Sequence, residues 1–318
     1  MDQPVIVSPP QKPAALPNIF KRMVENPVIL KELRGRMRGR RAFLFLTFYL
    51  IVISLFIAVI YALMAAQANL LQWQDPGFRQ NVGKIIFSSV VLFEFLLIGF
   101  IGPALTAGAI TSERERQTFD LLRTTLLSAR ALVFGKLGSA CMYLVLLVFA
   151  ALPIEALAFL LGGVGIEEVL VSSLILVVNI VFFCTLGLFC SSFTKRTLTA
   201  TVTSYAVILL SMLALGLVVF VMSFYAASNI GNSSSSPLFA DMLAMVLWLM
   251  SSTNSFSAAI VSEVFLIQNQ TLFLVNLPLS GTSTIYLISP WITHIALYIV
   301  LTALMIFLTI QFVKRPDR

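Results

Sequence analysis

The chain has 318 residues, of which 59% are hydrophobic and 11% charged. A soluble domain carries about 25% charged residues, so composition excludes an ordinary soluble globule and points to an integral membrane protein. The net charge of +7 would suit a nucleic-acid binder, but the placement of the basic residues gives it another meaning, and no nucleic-acid partner is expected.

In chain order, the first 24 residues contain Pro4, Pro9, Pro10, Pro13 and Pro17 and no apolar core of a signal peptide. They are expected to form a disordered, proline-rich tail, followed by a single transmembrane domain over 25–318. The stretch ENPVILKELRGRMRGRR (25–41) predicts a short surface helix. Asn26 can cap it and Pro27 suits its first turn. Ile29, Leu30, Leu33 and Met37 form an apolar stripe, with Lys31, Arg34 and Arg38 on another face. Gly35 and Gly39 disfavour a long rigid helix, so the chain should bend into the first span near Arg41. A helix of this kind lies on a lipid surface.

A bilayer core takes about 20 apolar residues per helix. Six runs meet that length: 42–66, 85–110, 137–161, 169–193, 198–227 and 290–313. They are continuous rather than alternating, and lipid tolerates only helices or closed barrels, so they predict an all-α bundle of six spans. Pro103 should kink the second span. Gly99, Gly102, Ala104 and Gly108 beside it permit close helix approach. Glu94 in the second span and Glu155 in the third are costly in lipid and are candidate pathway or gating residues together with Pro103.

Between the second and third spans, SERERQTFDLLRT (112–124) concentrates charge in an otherwise oily chain. It predicts an amphipathic helix, with Ser112 as N-cap and Glu115 closing a capping box. Glu113, Arg116, Asp120 and Arg123 fall on one face, and Phe119, Leu122 and Leu126 on the other. Such a face can be merely solvated, its charges paired with one another, or it can dock a partner; spacing does not choose.

The segment 228–289, between the fifth and sixth spans, holds two apolar stretches, 238–250 and 256–267. Each is short for a crossing and is expected as a short helix in or on the outer leaflet. His294 starts the last span and, without acidic or thiol neighbours, is expected to pack rather than bind metal. Cys141, Cys184 and Cys190 lie within spans at separations that match no zinc or redox motif. No metal site is expected.

Nineteen of the 21 Lys and Arg residues fall in 1–41, 111–136, 195–196 and 314–318. With six spans these segments share one side, and only Arg79 and Lys84 reach the other. The positive-inside rule then places both termini in the cytoplasm of a cell (plasma or inner) membrane, with anionic lipid as a contact for the basic residues.

These stretches, taken in order, resemble the membrane subunit of an ABC transporter of the exporter-type, type-two permease family. NPVILKELRGRMRGRR resembles the family's elbow helix, and GPALTAGAITSERERQTFDLLRTTLLSARALVFGKL its second span, coupling helix and start of the third span. LPIEALAFLLGGVGIEEVL, GLFCSSFTKRTLTATVTSYAVIL and SPWITHIALYIVLTALMIFL resemble the later hairpins and the last span. Gln117 stands where the family often has Gly, and Leu126 where it often has Pro.

The resemblance implies subunits working in pairs, homo- or heterodimeric, with the re-entrant outer helices over 228–289. It also implies a cytoplasmic ABC ATPase subunit seated against Ser112, Glu113, Glu115, Arg116, Asp120 and Arg123. The chain has no nucleotide-binding loop, so no cofactor is expected on it; ATP and Mg belong on the partner ATPase. The rival reading is an intramembrane enzyme, such as a glutamate-dependent prenyl-protein protease, suggested by Glu167 and Glu168. It lacks a second His and an Arg at the needed spacing.

Overall fold

The structure is a computed structural model. It describes residues 27–37, 39–67, 75–119, 128–161, 164–229, 273–278 and 284–314, with short stretches between 242 and 258. The element order is α1 (Pro27–Met37), α2 (Arg40–Gln67), α3 (Pro76–Thr106), α4 (Thr111–Glu115), α5 (Ala129–Leu161), α6 (Ile166–Phe193), α7 (Thr197–Asn229), β1 (Leu274–Pro278), β2 (Thr284–Ile288) and α8 (Pro290–Lys314).

Five of these helices are long and apolar enough to cross a membrane: within Ala42–Ala66, Gln80–Glu115, Ala129–Ala156, Ile166–Phe193 and Pro290–Lys314. The first has the limits the sequence predicts. The protein is therefore a predominantly helical, multi-pass membrane protein. The second span corrects its expected start: α3 begins at Pro76, where Asp75 caps the helix by accepting from Gly77 N at 3.0 Å.

The helices sort by how much of their surface is covered. α6 is the central element, packed by α3, α5, α7 and α8, and most of its positions from Ile175 to Ser192 are buried. α2 is peripheral. Its buried stripe is Tyr49, Ile53 and Ile57, four residues apart, while Phe43, Leu44, Phe48, Ile51 and Leu55 are exposed. In water that exposure would cost too much apolar surface; against lipid chains it costs nothing. Phe56 and Phe93 stack at 4.2 Å to fix α2 on α3. Hydroxyls within the bundle bond back to their own helix, as Thr106 does to Gly102 O and Thr309 to Met305 O, which satisfies them without a cross-helix partner.

The closest crossing joins α3 to α6, and it corrects the expected small-residue face. Ala104 is exposed. The close contact comes from Gly187: a Cβ there would lie 2.3 Å from Thr106 Oγ1 and 2.9 Å from Pro103 Cα. Gly99 and Gly102 meet Phe183. Pro103 thus sits inside the helix with its backbone pressed on α6, and Ala107 N still donates to Pro103 O at 2.7 Å.

Between α7 and α8 the sequence predicts helices alone. Helical turns do occur within 242–258, whereas most of 256–267 lies outside the described residues. The segment also contains a two-stranded antiparallel hairpin, with Leu274 opposite Ile288 and Pro278 opposite Thr284. Its strands are rich in Val, Thr, Ile and Leu, which suit a pleated surface. The hairpin is anchored to α8 by Ser289 N donating to Phe273 O at 2.9 Å and by Phe273 lying 6.1 Å from Trp291. The fold is therefore not wholly α.

Candidate functional site

The segment 107–119 occupies one end of the bundle, where most of the described ion pairs gather. Its helix is shorter than the sequence suggests. α4 covers Thr111–Glu115 and ends at once, because Gln117 takes φ +57°. Thr118 N donates to Glu113 O at 2.9 Å and Gln117 N to Arg114 O at 3.0 Å. Those two bonds around a left-handed residue form a Schellman motif, which stops a helix by satisfying its last carbonyls. An unbroken helix over 112–124 is thereby excluded. Asp120 and Arg123 lie outside the described residues.

Ser112 is not the N-cap either; that position is Ile110. The free amides of the first turn are met from another helix. Ser191 Oγ of α6 accepts from Ile110 N at 2.9 Å and Thr111 N at 3.0 Å. Glu115, the expected box partner, turns outward and caps α7. It accepts from Thr197 N at 2.7 Å and Thr197 Oγ1 at 2.9 Å. A carboxylate at a helix N-terminus gains from both the amide bonds and the helix dipole. Arg114 donates to Thr194 O at 2.9 Å, and its guanidinium lies 5.1 Å above the ring of buried Phe119. The consecutive residues Arg114 and Glu115 therefore hold α4 to the α6–α7 turn.

The other flank is tied through Glu113. It accepts from the Thr118 hydroxyl and pairs with Lys136 Nζ at 3.6 Å. Lys136, in the second turn of α5, is buried and donates to Glu32 Oε1 of α1 at 3.1 Å. Glu32 also takes Ser139 Oγ at 3.5 Å and pairs with Arg36 at 3.7 Å. Arg36 in turn donates to Leu105 O in the last turn of α3 at 3.0 Å. One lysine thus joins α1, α4 and α5, and one arginine returns the chain of contacts to α3. Ile29 of α1 fits against Gly138 of α5, where a Cβ would lie 3.2 Å from Ile29 Cδ1. The bend after α1 falls where expected, at Gly39 with φ +96°.

Of the predicted coupling residues, Glu113 and Glu115 make fixed contacts, as does Arg114, which was not among them, and the Arg116 side chain is exposed. Sequence reasoning missed Glu32, Arg36, Ser191 and Thr197. Lys136 was visible only through the Gly-Lys pair of the family resemblance. The others bond across 69 to 107 positions, a separation that leaves no local pattern.

Two further features lie away from this end. Glu94 and Glu155 are buried, and Tyr49 donates to Glu94 Oε1 at 3.2 Å. His294 is fully buried, with Nδ1 3.2 Å from Ser252 O and Nε2 3.2 Å from Asn179 Nδ2. Asn179 Nδ2 is a donor and Ser252 O an acceptor, so the ring is set as the Nδ1–H tautomer. It ties α6, α8 and the 252–254 turn together, the packing role expected of it. Glu168 accepts from Gly165 N at 3.3 Å, so one acid of the Glu167–Glu168 pair serves the start of α6.

No curated protein matches the chain. A family model described as ABC-2 family transporter protein matches residues 27–315, covering every described helix from its first residue to its last. The chain belongs to that ABC-2 family and is a multi-pass membrane permease component of an ABC transporter.

Proposed function

We propose that the chain forms the translocation path of an ATP-driven exporter and that 111–119 is its coupling element. The observation that carries this reading is the set of ties just described. A single short segment is fixed to α1 and α5 through Lys136, and to the α6–α7 turn through Arg114 and Glu115. A push on its exposed tip at Arg116 and Gln117 would therefore move four elements together rather than bend a loop. In this reading ATP and Mg act on a separate ATPase subunit, whose closure supplies the push. Pro103, pressed against Gly187, serves as the fixed pivot about which α3 and α6 tilt.

The basic residues at this end favour a cytoplasmic side for it and for both termini, in a cell membrane. α7, 33 residues long, is in this reading the fifth of six spans in chain order, at about 1.5 Å per residue. The described turn at 252–254 folds back on it, with Asn254 Nδ2 donating to Ser211 O, midway along α7. Two such subunits enclose the path, and the exposed apolar face of α2 is available to lipid or to the second subunit.

Charge reversal at the tip tests the docking. With the full complex purified through this chain, Arg116→Glu should reduce the co-purifying ABC ATPase subunit at least tenfold. Lys314→Glu, equally exposed at the end of α8, should leave it in place. Wild-type recovery of the ATPase with Arg116→Glu would overturn the reading.

A further inference from the structure

The chain has three cysteines, and two of them meet inside the bundle. Cys141 of α5 and Cys184 of α6 are free thiols, and their sulfurs adjoin within hydrogen-bonding reach. Helices α5 and α6 pack on each other, so the meeting joins two spans. Cys184 is fully buried. Cys141 is half-buried and packs on the edge of the core, and its neighbour Met142 is exposed. Cys190 faces elsewhere, with its thiol against Ser204 of α7. The pair therefore has one closed member and one accessible member, and a third thiol stands apart from it.

A single buried thiol packs as a small apolar group. Two adjoining thiols can do more, because they can hold one atom by two bonds. The surroundings limit what that atom is. Zinc takes four ligands, with sulfur at about 2.3 Å, and the described residues contain no group of three or more His, Cys, Asp or Glu to supply them. A charged complex is costly in an apolar interior. A disulfide needs its sulfurs at about 2.05 Å, far inside hydrogen-bonding distance. Cys184 has little room to close that gap, since a Cβ on Gly102 of α3 would lie 3.6 Å from Cys184 N. These limits leave an uncharged, thiophilic centre that bonds two sulfurs while keeping them apart.

We propose that Cys141 and Cys184 form a dithiol site for a lipophilic trivalent arsenical, R–As=O, which bridges α5 and α6. Cys141 is the thiol that reacts first, because it is the accessible one. Its sulfur bonds to arsenic, and its proton passes to the arsenical oxygen. The Cys184 sulfur then displaces the hydroxyl so formed, which leaves with the Cys184 proton as water. Two S–As bonds form and the arsenic–oxygen bonding is lost. Arsenic stays trivalent, so no oxidant or reductant is needed. The product carries no charge, and the apolar interior does not oppose it. A lipophilic R group brings the reagent to Cys141 through the bilayer. The inference does not depend on ATPase docking, and either can fail alone.

The test treats the full-length chain in phosphatidylcholine nanodiscs with phenylarsine oxide and washes it with excess 2-mercaptoethanol. A monothiol strips arsenic held by one sulfur, whereas arsenic held by two should stay. One arsenic per chain is expected after the wash, released by 2,3-dimercaptopropanol, and X-ray absorption at the arsenic edge should show two sulfur neighbours. Cys141→Ser and Cys184→Ser should each lower retention at least tenfold. Cys190→Ser should leave it unchanged. That variant keeps Cys141 and Cys184 as the only thiols, so it decides the matter if the other two do not fold. Loss of arsenic from the wild-type chain in the monothiol wash, or a single sulfur neighbour, would overturn the proposal. So would loss of retention with Cys190→Ser, or full retention with Cys141→Ser or Cys184→Ser.

Discussion

The two ends of the bundle treat their acids in opposite ways. At the charged end Glu32, Glu113 and Glu115 each accept from a named donor on another element or turn, and the buried cation Lys136 stands between two of them. In the interior Glu94 and Glu155 adjoin each other, with Tyr49 donating to Glu94 alone and no cation beside them among the described residues. Matched charges in a partly buried setting act as ties, whose loss is felt as stability. Adjacent acids do not ionise together, so the interior pair offers no such tie. The same residue type therefore holds elements together by charge at one end of the bundle and not in its interior.

The largest effect expected from this contrast follows removal of Lys136. Lys136→Met keeps the aliphatic stem but takes from Glu113 the cation it pairs with and leaves Glu32 with Arg36 alone. Breaking a buried pair on one side costs about 3–5 kcal/mol. The carboxylates here are 24% and 30% exposed, so the lower end, about 3 kcal/mol, is expected in thermal unfolding of the purified chain. Adding Glu113→Gln should recover part of the loss, because it removes the carboxylate that Lys136 no longer meets. An unchanged Tm for Lys136→Met would show that the charged end is not a tie, and the contrast would collapse.

A smaller loss is expected at the crossing that brings the charged end together. Gly187→Val puts a branched side chain where even a Cβ meets Pro103 Cα at 2.9 Å. Thr106 can rotate away, but the backbone cannot. Overpacking of this kind costs about 1–3 kcal/mol. It should also spread α3 from α6 near Ser191, whose two bonds to the start of α4 would lengthen. Gly35→Ala is the matched control: a Cβ there meets nothing within 4 Å, so a gain of about 0.5–1 kcal/mol from helix propensity is expected. Equal effects at the two glycines would mean that the α3–α6 crossing is not close-packed.

How far the sequence reveals these features depends on whether their cause is local. The spans at 42–66 and 290–313 match helices α2 and α8 nearly residue for residue, because apolar length is a property of consecutive positions. The bend at Gly39 is likewise local. The cap on α4 is not: Ser112 and Glu115 have the spacing of a capping box, but Ser191, some 80 positions away, reaches the amides first. Glu115 is then free to cap α7 instead. Gly187 and Ser191 have small-xxx-small spacing, but that spacing does not say which helix approaches there. The β-hairpin was missed because an apolar, β-branched run inside a membrane segment has no distinctive period. Glu94 and Glu155 were conspicuous singly; their meeting across two helices was not.

The smallest effect concerns Gln117, and it probes how tightly the charged end is set. The Schellman bonds require a left-handed residue there, and φ is +57°. For a residue with a Cβ that conformation costs about 1–2 kcal/mol. Glycine removes the cost but gives up about 0.5–1 kcal/mol through the greater freedom of the unfolded chain. The difference predicts that Gln117→Gly stabilises by about 0.5–1 kcal/mol, since the Gln side chain is exposed. Gln117→Val should destabilise, because a β-branched residue is least tolerant of positive φ. The pair of variants separates two origins of rigidity. If Gly stabilises and Val destabilises, the turn after α4 is held in place by the ties to Lys136 and Thr197, and the glutamine is strained to fit them. If both are neutral, the turn relaxes around residue 117, and the tip at Arg116 would be too soft to transmit a push into α1, α5 and the α6–α7 turn.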